Sequence, residues 1–307
     1  MPGLWVFIVL AGALFGCGGV SSDTSEAVAV KQPAEPVYVS VVLHYEETFV
    51  QDARYFARQR EDLVELAEYL ADEGIVLNLG PDWAFMEAVD SFETDAMRSR
   101  TMGKSILPYL HEELGHEIDP HAHEHGWNYA DVAFLIEQQG VSPSRIASGL
   151  IVAPPRQSVY EQFLEPIEAS RFPGYTWQAE WLWGDATGGH VNDTPAAGIW
   201  RPRDREHFYE HDDDGPIPVI GKYTSDIGGV YDLIDKAGSG QVEGGHMLTA
   251  AIFIGQGAVS EMLEELKEHL PQLRAYEAAG KLRFVSLRAA GEIWLAEYGG
   301  EGFLYIP

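Results

Sequence analysis

Cysteine and basic residues are scarce in this sequence. Cys17 is its one cysteine, so a fold held by disulfides within the chain is excluded. There are 20 Lys and Arg residues against 48 Asp and Glu, which gives a formal net charge of −28. No basic patch with interleaved aromatic residues occurs, so this charge excludes a nucleic-acid partner and electrostatic binding to an anionic membrane surface.

The sequence also lacks an internal repeat, a heptad run and a dinucleotide-binding fingerprint. What it contains is typical of a globular protein, with 46% hydrophobic residues in a chain of 307. That length suffices for one large α/β domain or two small ones.

The N-terminal segment is typical of a targeting signal. Residues 4–16, LWVFIVLAGALFG, form an uncharged apolar run that is short for a membrane span but suits a signal peptide. Residues 14–17, LFGC, are similar to a bacterial lipobox, whose cysteine becomes lipidated. We expect residues 1–17 to be a lipoprotein-type signal peptide and the protein to be lipid-anchored in the bacterial cell envelope or secreted. The lipid on Cys17 would then be its only attachment to a membrane, with an uncleaved anchor as the remaining alternative.

Residues 18–36 are small and polar and end in proline, which predicts a flexible tether. From residue 37 onward, strand and helix patterns alternate. Residues 37–47, VYVSVVLHYEE, are almost continuously apolar as far as His44, which predicts a buried parallel strand. Further predicted elements are a helix over 51–74, a strand over 75–80, a helical stretch around 83–114, a strand with its exit loop over 116–121, a helix over 128–140, strands over 149–155, 217–223, 246–255 and 282–287, and helices over 259–279 and 288–298.

This alternation predicts an α/β fold with a parallel sheet. About seven strands without a dinucleotide fingerprint favour a (β/α)7-type distorted parallel barrel, formed by residues 37–307 as a single domain. In such a barrel the chemistry lies at the carboxyl ends of the strands. Polar groups follow three predicted strands there: HYEE at 44–47, HAHEH at 121–125 and Arg201. We therefore expect these groups to meet in space.

The segment GHEIDPHAHEH (115–125) is rich in histidine and acids, a combination that suits Zn²⁺ and related divalent metals. His121 and His125 would share one face of a helical turn, whereas His121 and His123 would share one face of a strand. His116 stands at the strand start and is expected to point elsewhere. The alternative interpretation of the segment is a solvated loop.

This segment resembles the second motif of the polysaccharide deacetylases (carbohydrate esterase family 4), Gly-His-Glu-Ile-Gly-x-His-(Ser/Thr)-x-x-His. HYEE (44–47) stands where that family has Thr-Phe-Asp-Asp, and IWRPR (199–203) is similar to its arginine motif. The resemblance runs from about residue 37 to 298, with a divergent middle, and includes LRFVSLRAAGEI at 282–293.

The resemblance implies a metal-dependent hydrolase that removes N- or O-acetyl groups from a carbohydrate. It implies Glu46 as the general base and Arg201 as the residue that orients it. The implied ligands of a divalent metal, with Zn²⁺ as the expected ion, are Glu47, His121 and His125.

The sequence departs from the family pattern at several positions. His44 and His123 are additional candidate ligands, so a set of His44, Glu46, His121 and His123 is an alternative. Gln256 lies near the place of the family's general-acid histidine and cannot donate a proton as an acid. The other candidates for that role are His190, His207 and His246. The alternative functions are a non-catalytic metal- or glycan-binding surface lipoprotein and a different metallohydrolase on a similar barrel.

Overall fold

The computed structural model describes residues 35–46, 51–122, 126–150, 157–184 and 193–307, which belong to one compact unit. The expected signal peptide with Cys17 lies outside the described residues, as do Glu47, His123 and His125. Within the described ranges, no helix combines the length and the apolar character needed to cross a membrane.

Strand β1, Val37–Tyr45, lies at the centre of the main sheet and is buried along its whole length. Its successive side chains point to opposite faces, as the two-residue period of a strand requires. Leu43 packs into a large cluster shared with the helices, whereas Val42 packs into a smaller cluster with Trp183. His44 lies on the Val42 face, so the alternation directs it toward the tryptophan side of the sheet.

The strands after β1 are β2 (Leu77–Pro81), β3 (Glu117–Ile118), β4 (Ile146–Ser148), β5 (Ile167–Glu168), β6 (Thr176–Trp177), β7 (Trp181–Trp183), β8 (Ile199–Trp200), β9 (Val219–Ile220), β10 (Leu248–Gly255) and β11 (Leu282–Phe284). The main sheet has five strands, all paired in parallel, in the order β10-β1-β2-β3 with β11 also beside β1. A second sheet has the order β4-β7-β9-β8, and β5 and β6 form an antiparallel pair. The predicted mixed α/β fold with parallel strands is confirmed.

The helices lie between the strands along the chain, with the last one after β11. They are α1 (Ala53–Asp72), α2 (Trp83–Phe92), α3 (Asp95–Arg100), α4 (Ile106–Pro108, continued by a π-helical segment over Tyr109–Glu113), α5 (Tyr129–Gln138), α6 (Ile227–Ser239), α7 (Val259–Ala278) and α8 (Leu287–Glu297), with 3-10 segments at Gln157–Phe163 and Gln256–Ala258. Asp52 begins α1 by accepting hydrogen bonds from the backbone N–H groups of Arg54 and Tyr55 at 3.1 and 3.0 Å.

Three local expectations differ from the structure. The helical stretch around 83–114 is divided, because Thr94 caps a new helix and Met102 adopts a positive φ of 55°. Strand β4 ends at Ser148, before Gly149 with φ of 79°, so Gly149 and Leu150 follow the strand, and residues 151–155 of the strand expected over 149–155 lie outside the described residues. Strand β8 runs antiparallel to β9, whereas the sequence predicted a parallel sheet.

Candidate metal centre

His44 lies near the carboxyl end of β1, between Gly80 of β2 and Gly255 of β10 in the strand register. Its side chain is buried and its Nε2 atom lies 2.8 Å from the hydroxyl of Ser148. Trp183 and Phe253 contact the ring edge-on, with centroid distances of 5.6 and 5.0 Å. The imidazole is therefore enclosed at the carboxyl edge of the parallel strands.

His121 reaches the same place from the segment that follows β3. The backbone there remains beside β4, since the carbonyl of Pro120 accepts a hydrogen bond from Ser148 N at 3.2 Å. The Nδ1 atom of His121 donates to the carbonyl of Ser148 at 2.7 Å. Its ring centroid lies 4.1 Å from that of His44. Two imidazoles distant in sequence are thus in direct contact.

Glu46 follows β1 directly and supplies the acidic member of the group. Its Oε2 atom lies 2.8 Å from Nε2 of His121, and its side chain remains 34% exposed. One ligand atom from each of His44, Glu46 and His121 can be chosen so that all lie within 4.8 Å of one another. These three residues could hold a metal ion. They are three of the four members of the alternative ligand set, whose fourth member is His123.

The proton positions on His121 test whether a cation fits. A carbonyl oxygen only accepts hydrogen bonds, so Nδ1 of His121 carries a proton. In the neutral ring, Nε2 then has a lone pair that faces a carboxylate oxygen of Glu46. This arrangement is favourable with a second proton on His121 or with a nearby cation, and the chemistry of the donor set fits a divalent metal.

Two glycines allow the histidines to approach the backbone of neighbouring strands. A β carbon on Gly149 would lie 2.4 Å from Cε1 of His121 and 2.7 Å from Cε1 of His44. A β carbon on Gly80 would lie 2.7 Å from Cδ2 of His44. Sequence reasoning missed both positions and Ser148, although a glycine inside a predicted strand is a signal of close approach.

Tyr129 adds a further buried polar group. Its hydroxyl donates to the carbonyl of Ser148 at 3.3 Å. Burial raises the pKa of Tyr129 above its ordinary value, and the nearby charge of Glu46 raises it further. The phenol therefore stays neutral and donates a hydrogen bond at neutral pH. This residue was also missed by sequence reasoning.

Asp119, another acid of the histidine-rich segment, belongs to a separate network. Its carboxylate accepts hydrogen bonds from Asn78 at 2.7 Å and from Ser144 at 2.5 Å. Burial, followed by the charge of Glu117, raises the pKa of Asp119 to about 7. Its contacts join β2 and the chain after β3 to the chain before β4.

Arg201 does not join the histidines. Because β8 is antiparallel to β9, the residue that follows Trp200 lies at the starting ends of the parallel strands. Arg201 shares a pocket there with Trp181, the first residue of β7, and its guanidinium lies 5.5 Å from the ring of Trp294. His44, in contrast, contacts Trp183 at the other end of β7. The expectation that Arg201 meets the strand-end cluster is therefore wrong.

The candidates for a general acid have different locations. Gln256 follows Gly255, the residue paired with His44, and is buried. His207 bonds to Asp204 through Nδ1 at 2.6 Å, and His246 stacks on Phe303 at 4.2 Å. His190 lies outside the described residues.

Lys222 is a buried cation that sequence reasoning missed. It follows β9 at the carboxyl edge, where its ammonium forms an ion pair with Asp193. A second contact joins its Nζ atom to the hydroxyl of Ser225 at 3.3 Å. The carboxyl edge thus includes an ammonium group as well as the histidines.

The fold and the site define an α/β protein with a candidate metal centre at the carboxyl edge of its parallel strands. No protein-family model matches the chain, and no curated protein matches it. Among solved structures it is similar to the crystal structure of Puue allantoinase, with a TM-score of 0.49, 13% identity and coverage of 85% of this chain and 90% of that one. It is also similar to 4-alpha-glucanotransferase from Thermococcus litoralis, with a TM-score of 0.40, 11% identity and coverage of 88% of this chain and 40% of the other. At these values neither likeness bears on function.

Proposed function

We propose that the chain is a metal-dependent hydrolase whose ion is held by His44, Glu46 and His121. The observation that carries this proposal is the convergence of two imidazoles and one carboxylate within 4.8 Å. Nitrogen and oxygen ligands of this kind suit Zn²⁺, which is the proposed ion. This set replaces the Glu47, His121 and His125 ligands implied by the motif resemblance as the starting hypothesis.

We also propose that the two larger sheets close into a (β/α)7-type barrel. Hydrogen bonds between them support this closure. Ser144 N donates to Ile118 O at 2.9 Å beside β3, and Ala251 N of β10 donates to Lys222 O at 2.8 Å. Closure would bring His44, His121 and the end of β7 to one mouth, as their ring contacts require.

The proposed reaction is removal of an acetyl group from a carbohydrate. A bound divalent ion supplies a Lewis acid that polarises a carbonyl and lowers the pKa of water. Glu46 is the most exposed member of the group, which suits it to accept a proton from water, the role that the motif resemblance gives it. The carbonyl of Ser148 accepts hydrogen bonds from both Tyr129 and His121, which fixes the position of the His121 ring.

Metal analysis and hydrolysis assays on the purified chain test this proposal. We expect about one equivalent of Zn²⁺ and turnover of an acetylated oligosaccharide or a chromogenic acetyl ester, both lost with a chelator and in His121→Ala. The matched control is His269→Ala, because His269 lies on α7 and forms a hydrogen bond with Tyr231. This variant should change neither the metal content nor the turnover. Turnover that survives complete removal of metal would refute the proposal.

Glu46→Gln separates the two roles of Glu46. Retained metal with lost turnover would assign it as the base, whereas lost metal would assign it as a ligand. Full turnover in this variant would refute both assignments.

Gln256 favours a second candidate, a non-catalytic metal- or glycan-binding protein with the same site. It lies at the end of β10, beside the strand position of His44, and its amide cannot serve as a general acid. Stoichiometric metal without turnover of any acetylated substrate would support this candidate.

A further inference from the structure

We propose that Ser148 is a positioning residue that selects which ring nitrogens His44 and His121 present to the ion. This inference rests on the proposed metal site. Ser148 is fully buried at the end of β4, and it contacts both imidazoles with different atoms. One residue therefore couples the two histidines, one from β1 and the other from the segment after β3.

The contact with His121 uses the backbone of Ser148. Its carbonyl accepts the Nδ1 proton of His121 at 2.7 Å, which leaves Nε2 to face Glu46. The same carbonyl accepts the hydroxyl of Tyr129 at 3.3 Å. Because these bonds involve the backbone, they persist when the serine side chain is replaced.

The contact with His44 uses the hydroxyl of Ser148, 2.8 Å from Nε2. The ring lies close against Gly80 and Gly149, since β carbons on these residues would each lie 2.7 Å from His44 atoms. Nε2 is therefore directed to the hydroxyl, and Nδ1 becomes the nitrogen that His44 offers to a metal. An outer hydrogen bond of this kind fixes the tautomer and the orientation of a ligating histidine.

Removal of the hydroxyl should then weaken metal binding while leaving the fold intact. Loss of an outer partner of a metal ligand typically costs about 10- to 100-fold in metal affinity. Ser148→Thr keeps a hydroxyl, and its branched β carbon suits a strand. We expect Ser148→Ala to lose affinity in this range and Ser148→Thr to stay within about threefold of the unchanged protein, well short of that loss.

Zn²⁺ affinity is measured on the full chain by competition with a chromogenic chelator, and the visible spectrum of the Co²⁺-loaded protein reports ligand geometry. Ser40→Ala is the matched control, because Ser40 is another buried strand serine, on β1, outside the metal group. We expect an altered Co²⁺ spectrum in Ser148→Ala alone. Thermal unfolding of the metal-free variants verifies that each one folds.

Two results would overturn the inference: wild-type affinity and spectrum in Ser148→Ala, or a Ser148→Thr variant as weak as Ser148→Ala. If Ser148→Ala does not fold, Ser148→Thr and Ser148→Val decide, because the two side chains have the same shape and only threonine keeps the hydroxyl, so a fall in affinity from threonine to valine is expected only if the hydroxyl matters. Absence of metal from the unchanged protein would instead refute the proposed function itself.

Discussion

Gly149 lies against the ring of His121 so closely that a β carbon at this position would be 2.4 Å from Cε1. The backbone of Gly149 also has a φ of 79°, in the left-handed region that favours glycine. Two independent constraints therefore require glycine directly after Ser148. The candidate metal centre depends on the backbone beside it as well as on its side chains.

Gly149→Ala should destabilise the protein and abolish metal binding. The left-handed backbone costs about 1–2 kcal/mol with a side chain, and forcing atoms into a packed site adds about 1–3 kcal/mol. Gly140→Ala is the matched control, since Gly140 has a φ of 83° but a β carbon there would meet no atom within 4 Å. Urea unfolding and Zn²⁺ titration compare the two variants. Equal losses of stability with unchanged metal affinity would contradict the crowded geometry.

Arg201→Ala should leave metal affinity unchanged, because Arg201 lies at the starting ends of the parallel strands, near Trp181 and Trp294. A small loss of stability is expected from the lost contact with Trp294, about 0.5–1 kcal/mol for a partly exposed cation–π pair. Zn²⁺ competition and thermal unfolding measure the two effects. A tenfold loss of affinity would show that Arg201 acts on the site after all.

The buried ion pair of Arg60 and Glu93 should be sensitive to the loss of either partner. Their side chains approach to 2.7 Å and are almost fully inaccessible to solvent. Glu93→Ala should lower the free energy of unfolding by about 3–5 kcal/mol, because it leaves a buried guanidinium uncompensated. Glu180→Ala, which breaks an exposed pair with Arg145, should cost less than about 1 kcal/mol. Chemical unfolding of both variants should show this contrast, and similar losses would argue against it.

His116 should make the protein less stable in mild acid. Its Nδ1 accepts the N–H of Leu77 at 3.0 Å, and burial lowers its pKa below the ordinary value of 6.5. Between that lowered pKa and about 6.5 the unfolded chain binds a proton that the folded state does not, so stability falls as the pH falls through this window. His116→Gln should be less stable at pH 8 yet show a shallower decline toward pH 5, measured by urea unfolding. An unchanged slope would exclude this residue as a cause.

Much of the candidate site could be predicted because long buried strands carry a clear pattern. The apolar run of β1 ends at His44 and Glu46, and the carboxyl ends of parallel strands meet at one edge. The histidines and acids of residues 115–125, and the spacing of the histidines, predict His121 as a ligand. The structure now places it beside Glu46.

The other positions could not be predicted, because their strands are too short to show a hydrophobic period. Strand β8 has two residues, Ile199–Trp200, so no periodicity could show that it runs antiparallel to β9 and carries Arg201 away from the histidines. Ser148 was equally hidden, because β4 covers three residues and the apolar stretch after it suggested a later strand.

The sequence by itself determined the mixed α/β class, the buried β1 strand and the polar residues at its end, because hydrophobic periodicity is a local property. Only the tertiary structure decided that Ser148, at the end of β4, and Gly149, directly after it, contact His44 and His121. It also decided the direction of β8, since strand pairing depends on partners far away in the chain. The positions of side chains across strands, which decide what a metal site can bind, arise from that pairing.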